Sequence, residues 1–329
     1  MNDNRLSALD RALQTGGADR LKSGFRSLAS TDRKQALRLL DDEKLRFPAL
    51  FALLPELHAH QMTNELSPRN HAAVCVCAKK LKRYDRFDAS AGFRDNDTLY
   101  RALRWMLDTG KEWDASGRGQ DDYEAVIDYV SALLVIDFED TAVLPDIARL
   151  IFARHRRGHL VHDLTWCFFQ TLDKDALALV AGQLLSSDNR DAALAGKLLC
   201  LESPPALNKA DTQELHHQYV QWLEDNRPYL YVTGEYFQQT SRPKHLSVDM
   251  EAKYLGKELS PRYRAPLTPL NEHEIACLHE YRGFSPEEQE LLTDYSHRLR
   301  CTDAQSWQAW MQKQVAEQVM AAKGGYEAV

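Results

Sequence analysis

Apolar residues recur at helical spacing along almost the entire chain, and this periodicity limits the folds that it can adopt. For example, Leu99, Leu103, Met106 and Leu107 follow the spacing i, i+4, i+7 and i+8. Residues at this spacing form one apolar stripe along one face of an α-helix. The alternation of apolar and polar residues that is typical of half-buried strands is scarce. The sequence therefore predicts an all-α fold.

Local signals for helix starts agree with an all-α fold. Residues 285–288 combine a capping Ser, a Pro at the first helical position and a Glu at the third, which together satisfy unpaired backbone N–H groups. Ser67-Pro68 and Thr268-Pro269 predict similar Pro-led starts. The last helices are expected at about 270–282, 286–300 and 303–322. The final helix has an apolar stripe that is predicted to pack in the core, formed by Trp307, Trp310, Met311, Val315 and Val319.

Between about residues 120 and 225 the predicted helices are short, and their starts lie about 14–21 residues apart. Two segments there share the pattern Leu-x-x-Asp-x-x-Asp-x-Ala-apolar, one beginning at Leu134 and the other at Leu185. In this pattern the chain resembles HEAT and armadillo repeats, in which an acidic turn caps a helix that carries small and aliphatic core residues. The resemblance implies an α-solenoid of stacked antiparallel helix pairs. The alternative is an irregular helical bundle whose turns reuse Asp because Asp caps helices well.

The sequence divides into four predicted parts. These are an N-terminal helical region (1–108), HEAT-like helical repeats (120–225), an irregular insertion rich in Tyr and Pro (226–269) and a C-terminal helical cap (270–323). A stretch with three glycines, 109–119, is predicted to be a loop and a boundary between the first two parts.

The insertion (226–269) is the strongest candidate for a functional site. Its 44 residues hold five of the 12 prolines and five of the 13 tyrosines, and so long a connection is unusual within a helical array. We expect a small hairpin around Thr233-Gly234 and a short helix from Val248 to Gly256. Tyr and Arg are enriched at binding hot spots. The insertion is therefore predicted to bind a protein partner through Tyr229, Tyr231, Tyr236, Phe237, Arg242, Lys244, Tyr254, Arg262 and Tyr263. The open alternative is that its tyrosines cover one end of the helical array.

A basic run suggests a second function, because basic charge with interleaved aromatic residues serves phosphate contact and base stacking. The run comprises Lys79, Lys80, Lys82, Arg83, Arg86 and Arg94, with aromatic residues interleaved at 84, 87 and 93, and the first four are the candidate contacts. With added charge from residues 154–157, the chain would be similar to the HEAT-like DNA base-excising enzymes. The net charge of -7 disfavours nucleic acid as a partner. Such a run is also typical of a solvated helix end.

Two groups of residues resemble fragments of metal sites. His155, His159 and His162 follow the spacing i, i+4 and i+7, and residues 273–277 match the His-Glu-x-x-His helix of zinc proteases except that Cys277 replaces the second His. A Gly at 158 divides the first group, so that segment is better interpreted as a helix C-terminus capped by Gly. Cys277 is better interpreted as a core residue. We therefore predict no metal and no cofactor, and a metal-dependent hydrolase using these histidines or His273 is the weakest alternative.

The remaining features of the sequence concern location and activity. The six cysteines form no regular framework, which predicts free thiols in a reduced, cytoplasmic protein. The N-terminal residues do not form a signal-peptide pattern, and the longest apolar runs are far shorter than the roughly 20 residues of a membrane helix. No catalytic signature stands out. The overall expectation is a non-enzymatic scaffold or adaptor that binds a protein partner, and no membrane, through a helical-repeat surface and the insertion.

Overall fold

The computed structural model describes residues 6–83, 95–171, 173–201, 209–260 and 263–326. Helices make up most of these residues and the strands are few and short, which confirms the all-α class. The chain forms two compact units, Met1–Phe168 and Phe169–Val329. The division between them lies inside the segment predicted to hold the repeats. Among the described residues, no helix is both long enough and apolar enough to cross a membrane.

The first unit is built from helices that pack on an aromatic centre. Its helices are α1 (Ala8–Thr31), α2 (Arg33–Leu40), α3 (Phe47–Ala52), α4 (Leu54–Ala59), α5 (Pro68–Leu81), α6 (Asn96–Ala115), α7 (Asp121–Ala132), α8 (Leu144–Arg156) and α9 (His162–Phe168). Helix α6 packs on α3, α5, α7 and α8, and α9 packs on α7 and α8. At the centre, the Phe47 ring stacks on Tyr123 at 5.4 Å between centroids and meets Trp105 edge-on at 6.0 Å. Aromatic pairs in these two geometries stabilise a core beyond the area that they bury.

Helix α6 continues to Ala115, through the first half of the expected loop at 109–119, so it is longer than the sequence predicts. Gly110 lies inside this helix, where it allows a close approach of α7. The Tyr123 hydroxyl donates to the Gly110 carbonyl oxygen at 3.1 Å, and a Cβ atom on Gly110 would lie 2.6 Å from that hydroxyl. Gly110 therefore serves helix packing and not a chain reversal. The chain turns later, at Gly117, whose φ is +73°.

The second unit combines helices with two small antiparallel sheets. Its helices are α10 (Lys174–Gly182), α11 (Asn189–Leu198), α12 (Lys209–Asn226), α13 (Met250–Leu255), α14 (Glu272–Tyr281), α15 (Pro286–Thr302), α16 (Ala304–Met311) and α17 (Val315–Tyr326). Its strands are β1 (Leu230–Val232), β2 (Leu246–Val248), β3 (Leu259–Ser260) and β4 (Ala265–Pro266). β1 pairs with β2, and β3 pairs with β4.

The insertion contains the expected strand, but its partner is further along the chain than predicted. β1 pairs with β2 in the register Leu230↔Val248, so residues 233–245 connect the two strands. The hairpin expected around Thr233-Gly234 is therefore replaced by a longer connection. The helix expected from Val248 to Gly256 forms as α13, and it ends at Gly256 with φ +63°.

The core of the second unit includes part of the insertion. Tyr254 of α13 stacks on Tyr281 of α14 at 4.6 Å between ring centroids, and its hydroxyl donates to Gln318 of α17 at 2.5 Å. The stripe on the last predicted helix packs in this core, as expected, with Trp310, Met311, Val315 and Val319 all buried and Trp307 partly buried. That helix is divided into α16 and α17.

Most helix starts between 120 and 225 lie where the spacing predicts them, but the two matched segments are capped differently. Asp140 caps the first by accepting from the backbone N–H of Ala142 at 3.1 Å, whereas Asp188 caps α11 by accepting from Arg190 N–H at 2.9 Å. The sequence pattern aligns Asp140 with Asp191 instead. Asp191 is buried and accepts from the Ser186 hydroxyl at 3.1 Å. The two helix starts are therefore three residues out of register with the sequence match, and the repeat relationship stays a prediction.

Candidate functional site

A cavity of about 570 Å³ lies in the second unit, between α11, α12 and β2. We call it the α12–β2 cavity. Its wall is mainly apolar and includes Leu198, Leu215, Tyr219, Trp222, Leu246 and Val248. Its volume falls within the range of about 300–1,000 Å³ that is typical of ligand pockets.

Helix α12 supplies one wall of the cavity because its apolar residues share a face. Leu215, Tyr219 and Trp222 follow the spacing i, i+4 and i+7, which brings them onto one side of a helix. The rings of Tyr219 and Trp222 lie 5.5 Å apart. Tyr219 is buried, whereas Trp222 remains 38% exposed. A large aromatic side chain that is exposed beside an apolar cavity is typical of a binding surface.

Strand β2 supplies the opposite wall and leaves one edge of its backbone unpaired. On the side of β1, the N–H of Asp249 donates to the carbonyl oxygen of Tyr229 at 2.9 Å. Hydrogen-bonded pairs alternate along an antiparallel ladder, so the N–H and C=O groups of Leu246 and Val248 point to the other edge. No described residue hydrogen-bonds to them there.

Among the described residues that line the cavity, Lys244 is the one with a permanent charge, and none is a carboxylate. Lys244 is exposed. Its backbone N–H donates to a carboxylate oxygen of Glu235 at 2.8 Å. No described carboxylate lies within ion-pair distance of its ammonium group. Lys244 is therefore the one permanent charge in a described lining that is otherwise uncharged and mainly apolar.

Two polar groups beside β2 are held in neutral form. The Cys200 thiol lines the cavity and donates to the carbonyl oxygen of Pro243 at 3.2 Å. Desolvation raises the pKa of Cys200, so little of the reactive thiolate forms at neutral pH. Next to Lys244, burial lowers the pKa of His245 to about 4, and its ring stacks on Phe169 at 4.2 Å. Neither group is suited to act as a nucleophile or a cationic ligand.

The structure changes the set of residues predicted to bind a partner. Tyr229 and Tyr254 are completely buried. The Tyr229 hydroxyl accepts from Arg300, and Tyr254 lies in the core of the second unit. Both are therefore removed from the predicted set, because their rings are not accessible to another molecule.

The other predicted residues of the insertion are at least partly accessible. Tyr231 lies under the guanidinium of Arg264 at 4.0 Å, and Phe237 lies under the ammonium of Lys197 at 4.5 Å. Tyr236 is also half-buried. The exposed members are Arg242, Lys244 and Tyr263. Arg262 lies outside the described residues. Of the predicted set, Lys244 is the member that lines the α12–β2 cavity.

The basic run is partly neutralised by carboxylates from distant parts of the chain. The Lys80 ammonium lies 4.0 Å from a carboxylate oxygen of Asp163, and Arg83 is paired with Asp122. Lys79 and Lys82 are exposed. The other members of the run, Arg86 and Arg94, and the aromatic residues at 84, 87 and 93 lie outside the described residues. Arg154, from which we expected further surface charge, is buried, so it provides none.

The histidines do not form a continuous helical face. α8 ends at Arg156 and α9 begins at His162, and Gly158 between them has a φ of +73°. This confirms that residues 154–158 form a helix C-terminus with Gly as its cap. His159 Nδ1 lies 2.8 Å from a carboxylate oxygen of Glu124.

The second histidine fragment also has protein partners. His273 Nε2 lies 2.7 Å from the carbonyl oxygen of Met311 and 3.5 Å from the sulfur of Cys277, which is buried. Within the described part of the chain, no group of three or more His, Cys, Asp or Glu side chains is arranged to hold a metal ion.

Comparison of the chain with protein-family models, with curated proteins and with solved structures finds no match. The α12–β2 cavity is therefore the feature of the chain that indicates a function. Sequence analysis missed its α12 wall, although the spacing of Leu215, Tyr219 and Trp222 was a readable signal. Helical spacing alone does not distinguish a stripe that is covered by the core from one that borders a cavity.

Proposed function

We propose that the protein is a non-enzymatic interaction module, a scaffold or adaptor, that binds a polypeptide partner in the α12–β2 cavity. The observation that carries this proposal is the exposed Trp222 beside an apolar cavity whose other wall is a strand of the insertion. Trp is the residue type most enriched at interaction hot spots. The insertion thereby contributes to partner binding through Lys244 and β2, and not through its buried tyrosines.

The chemistry of the cavity wall favours binding over reaction. Its thiol, Cys200, has a raised pKa because of desolvation, which makes it a weak nucleophile. A catalytic pair needs a base within hydrogen-bond distance of a nucleophile. The Cys200 thiol donates to a backbone carbonyl, which cannot take up its proton.

We further propose that, within each unit, the helices of residues 120–225 stack as HEAT-like antiparallel pairs, and that the protein works in a reduced, cytoplasmic environment. Support for stacking comes from sequential packing of α8 on α9 in the first unit and of α10 on α11 and α12 in the second. Support for a reducing environment comes from the six cysteines, all of which are free thiols.

Selection of peptides from a random phage-displayed library on the immobilised full-length chain tests the interaction function. We expect enrichment of a consensus peptide whose affinity falls at least about tenfold in the variant Trp222→Ala, as for a hot-spot Trp. The matched control is Met320→Ala, which removes an apolar side chain that is 74% exposed on α17 and does not line the cavity. This control is expected to bind like the unmodified protein.

Point variants are preferable to deletion of the insertion, because Tyr229 and Tyr254 are part of the core. Circular dichroism of each variant checks that the helices remain folded. The absence of any consensus peptide would contradict the proposed function. A consensus that binds equally well to both variants would also contradict it, because the cavity would then play no part.

A further inference from the structure

We propose that the partner segment binds as an additional strand along the unpaired edge of β2, with apolar side chains in the α12–β2 cavity and an acidic residue beside Lys244. This inference rests on the proposed function and specifies the chemistry of the partner. The partner is an extended stretch of polypeptide, in which apolar residues alternate with others and a carboxylate lies at one end of the stretch.

The backbone of β2 is the first argument for strand addition. Leu246 and Val248 direct one N–H and one C=O each away from β1, and no described residue hydrogen-bonds to these groups. An unpaired strand edge is a template on which another extended chain can pair. This arrangement recognises the peptide backbone itself, whereas a compact small molecule does not offer donors and acceptors at the repeat of a strand.

The position of the cavity is the second argument. Leu246, Ser247 and Val248 all line it, although neighbouring side chains of a strand point to opposite faces. The cavity therefore runs along β2 from Leu246 to Val248. A strand placed there, about 4.8 Å from β2, would direct alternate side chains towards Tyr219 and Trp222.

The charge of the wall is the third argument, and it selects the polar part of the ligand. Lys244 lies two residues before β2 begins at Leu246, and it is exposed. The described lining residues themselves include no carboxylate, and the nearby Glu235 carboxylate accepts from the backbone N–H of Lys244. Opposite charges on neighbouring strands attract, whereas like charges repel. An Asp or Glu of the added strand is therefore the residue expected opposite Lys244.

Fluorescence anisotropy with synthetic peptides tests this inference on the full-length chain. The probes are blocked, labelled peptides of about seven residues in which leucine alternates with threonine, one with aspartate at both ends and one with lysine at both ends. Charges at both ends make the test independent of strand direction. We expect the aspartate peptide to bind about tenfold more tightly than the lysine peptide, and Lys244→Glu to invert this preference.

N-methylation of the peptide backbone separates strand addition from other modes of binding. Methyl groups at the alternate positions whose N–H groups face β2 remove donors and are expected to weaken binding at least about tenfold. Methyl groups at the intervening positions are expected to have little effect. Equal effects at both sets of positions would overturn strand addition while leaving the proposed function intact, provided that Trp222→Ala still weakens binding.

Two further outcomes would also decide the inference. If neither peptide binds although the phage library yields a consensus that depends on Trp222, the cavity takes polypeptide in another conformation and strand addition is wrong. If Lys244→Glu leaves the preference for aspartate unchanged, the charge assignment is wrong. Failure of the phage selection itself would instead contradict the proposed function.

Discussion

Arg154 and Asp114 form a two-point ion pair inside the first unit, with Nε–Oδ1 at 2.9 Å and Nη2–Oδ2 at 2.5 Å. Their side chains are 1% and 0% exposed, respectively. A third bond joins Arg154 Nη1 to Asp128 at 2.6 Å. Since Asp114 belongs to α6, Asp128 to α7 and Arg154 to α8, this network connects three helices. A buried guanidinium that is fully paired in this way specifies how the helices are arranged.

Removal of one partner of this pair should be strongly destabilising. Asp114→Ala leaves the guanidinium of Arg154 buried with fewer acceptors, and loss of one partner of a buried ion pair costs about 3–5 kcal/mol. We expect the free energy of unfolding of the first unit to fall by this amount. Urea unfolding followed by circular dichroism measures the change.

The matched control for Asp114→Ala is an exposed ion pair in the same helix. Arg101 pairs with Asp97 in α6, and the two side chains are 74% and 63% exposed. Arg101→Ala should change the free energy of unfolding by less than about 1 kcal/mol, because exposed pairs are weak. Similar losses in the two variants would show that the buried pair is not a special determinant of stability.

Two glycine substitutions should have opposite effects on stability. Gly110→Ala gains about 1 kcal/mol of helix propensity, but its Cβ would lie 2.6 Å from the Tyr123 hydroxyl, and overpacking costs about 1–3 kcal/mol. Gly24→Ala in α1 gains the same propensity, and no atom lies within 4 Å of its Cβ. Thermal unfolding should therefore show a lower melting temperature for Gly110→Ala and a higher one for Gly24→Ala. A stabilised Gly110→Ala variant would contradict the close approach of α7.

The second unit should lose stability in mild acid because of His245. The Nδ1 of His245 donates to the carbonyl oxygen of Glu235 at 3.2 Å, and its Nε2 is buried with no hydrogen-bond partner among the described residues. Protonation would place an unpaired charge there, so the pKa in the folded state is lowered to about 4 from its usual value of 6.5. Below pH 6.5 the unfolded chain therefore binds the proton and the folded chain does not.

The resulting stability is complete above pH 6.5 and is lost as the pH falls towards about 4, by roughly 2–4 kcal/mol. His245→Phe keeps an aromatic ring against Phe169 but removes the titrating group. Urea titrations from pH 7 to pH 4 measure the free energy of unfolding of the unmodified protein and of His245→Phe. The difference between these two free energies should change between pH 6.5 and about pH 4. A difference that stays constant with pH would refute this role for His245.

The six thiols should divide into two classes by reactivity. Cys75, Cys77, Cys167 and Cys277 are buried, and burial raises the pKa of Cys77, Cys167 and Cys277. Cys200 and Cys301 are exposed. Brief alkylation of the native protein, followed by mass spectrometry, should modify these last two before the four buried thiols, because a thiol must be accessible to react. Cys200 should react slowly for an exposed thiol, because desolvation raises its pKa and leaves little thiolate at neutral pH. Rapid modification of a buried thiol would contradict the burial of these four side chains.

A peptide in the α12–β2 cavity should slow the reaction of Cys200 and leave Cys301 unaffected.

Helix boundaries were largely predictable because their causes are local. Ser285 accepts from the backbone N–H of Glu288 at 3.3 Å, as its sequence context indicates. Helix α14 begins at Glu272, two residues after the expected start at about 270, because a capping box follows Thr268-Pro269. There, Asn271 and Glu274 each accept from the other's backbone N–H at 2.9 Å. These two hydrogen bonds satisfy backbone groups that the first turn of the helix leaves unpaired.

The sequence by itself determined the helical class, the core role of the last apolar stripe and the Gly cap at Gly158, because each depends on residues within one or two helical turns. Only the tertiary structure decided which side chains are accessible. Tyr229 and Tyr254 are buried, and Arg83 is paired with Asp122, through elements that are distant along the chain. The α12–β2 cavity likewise requires α12 and β2 to face each other. Burial and charge pairing of this kind depend on distances between elements, which periodicity and composition do not specify.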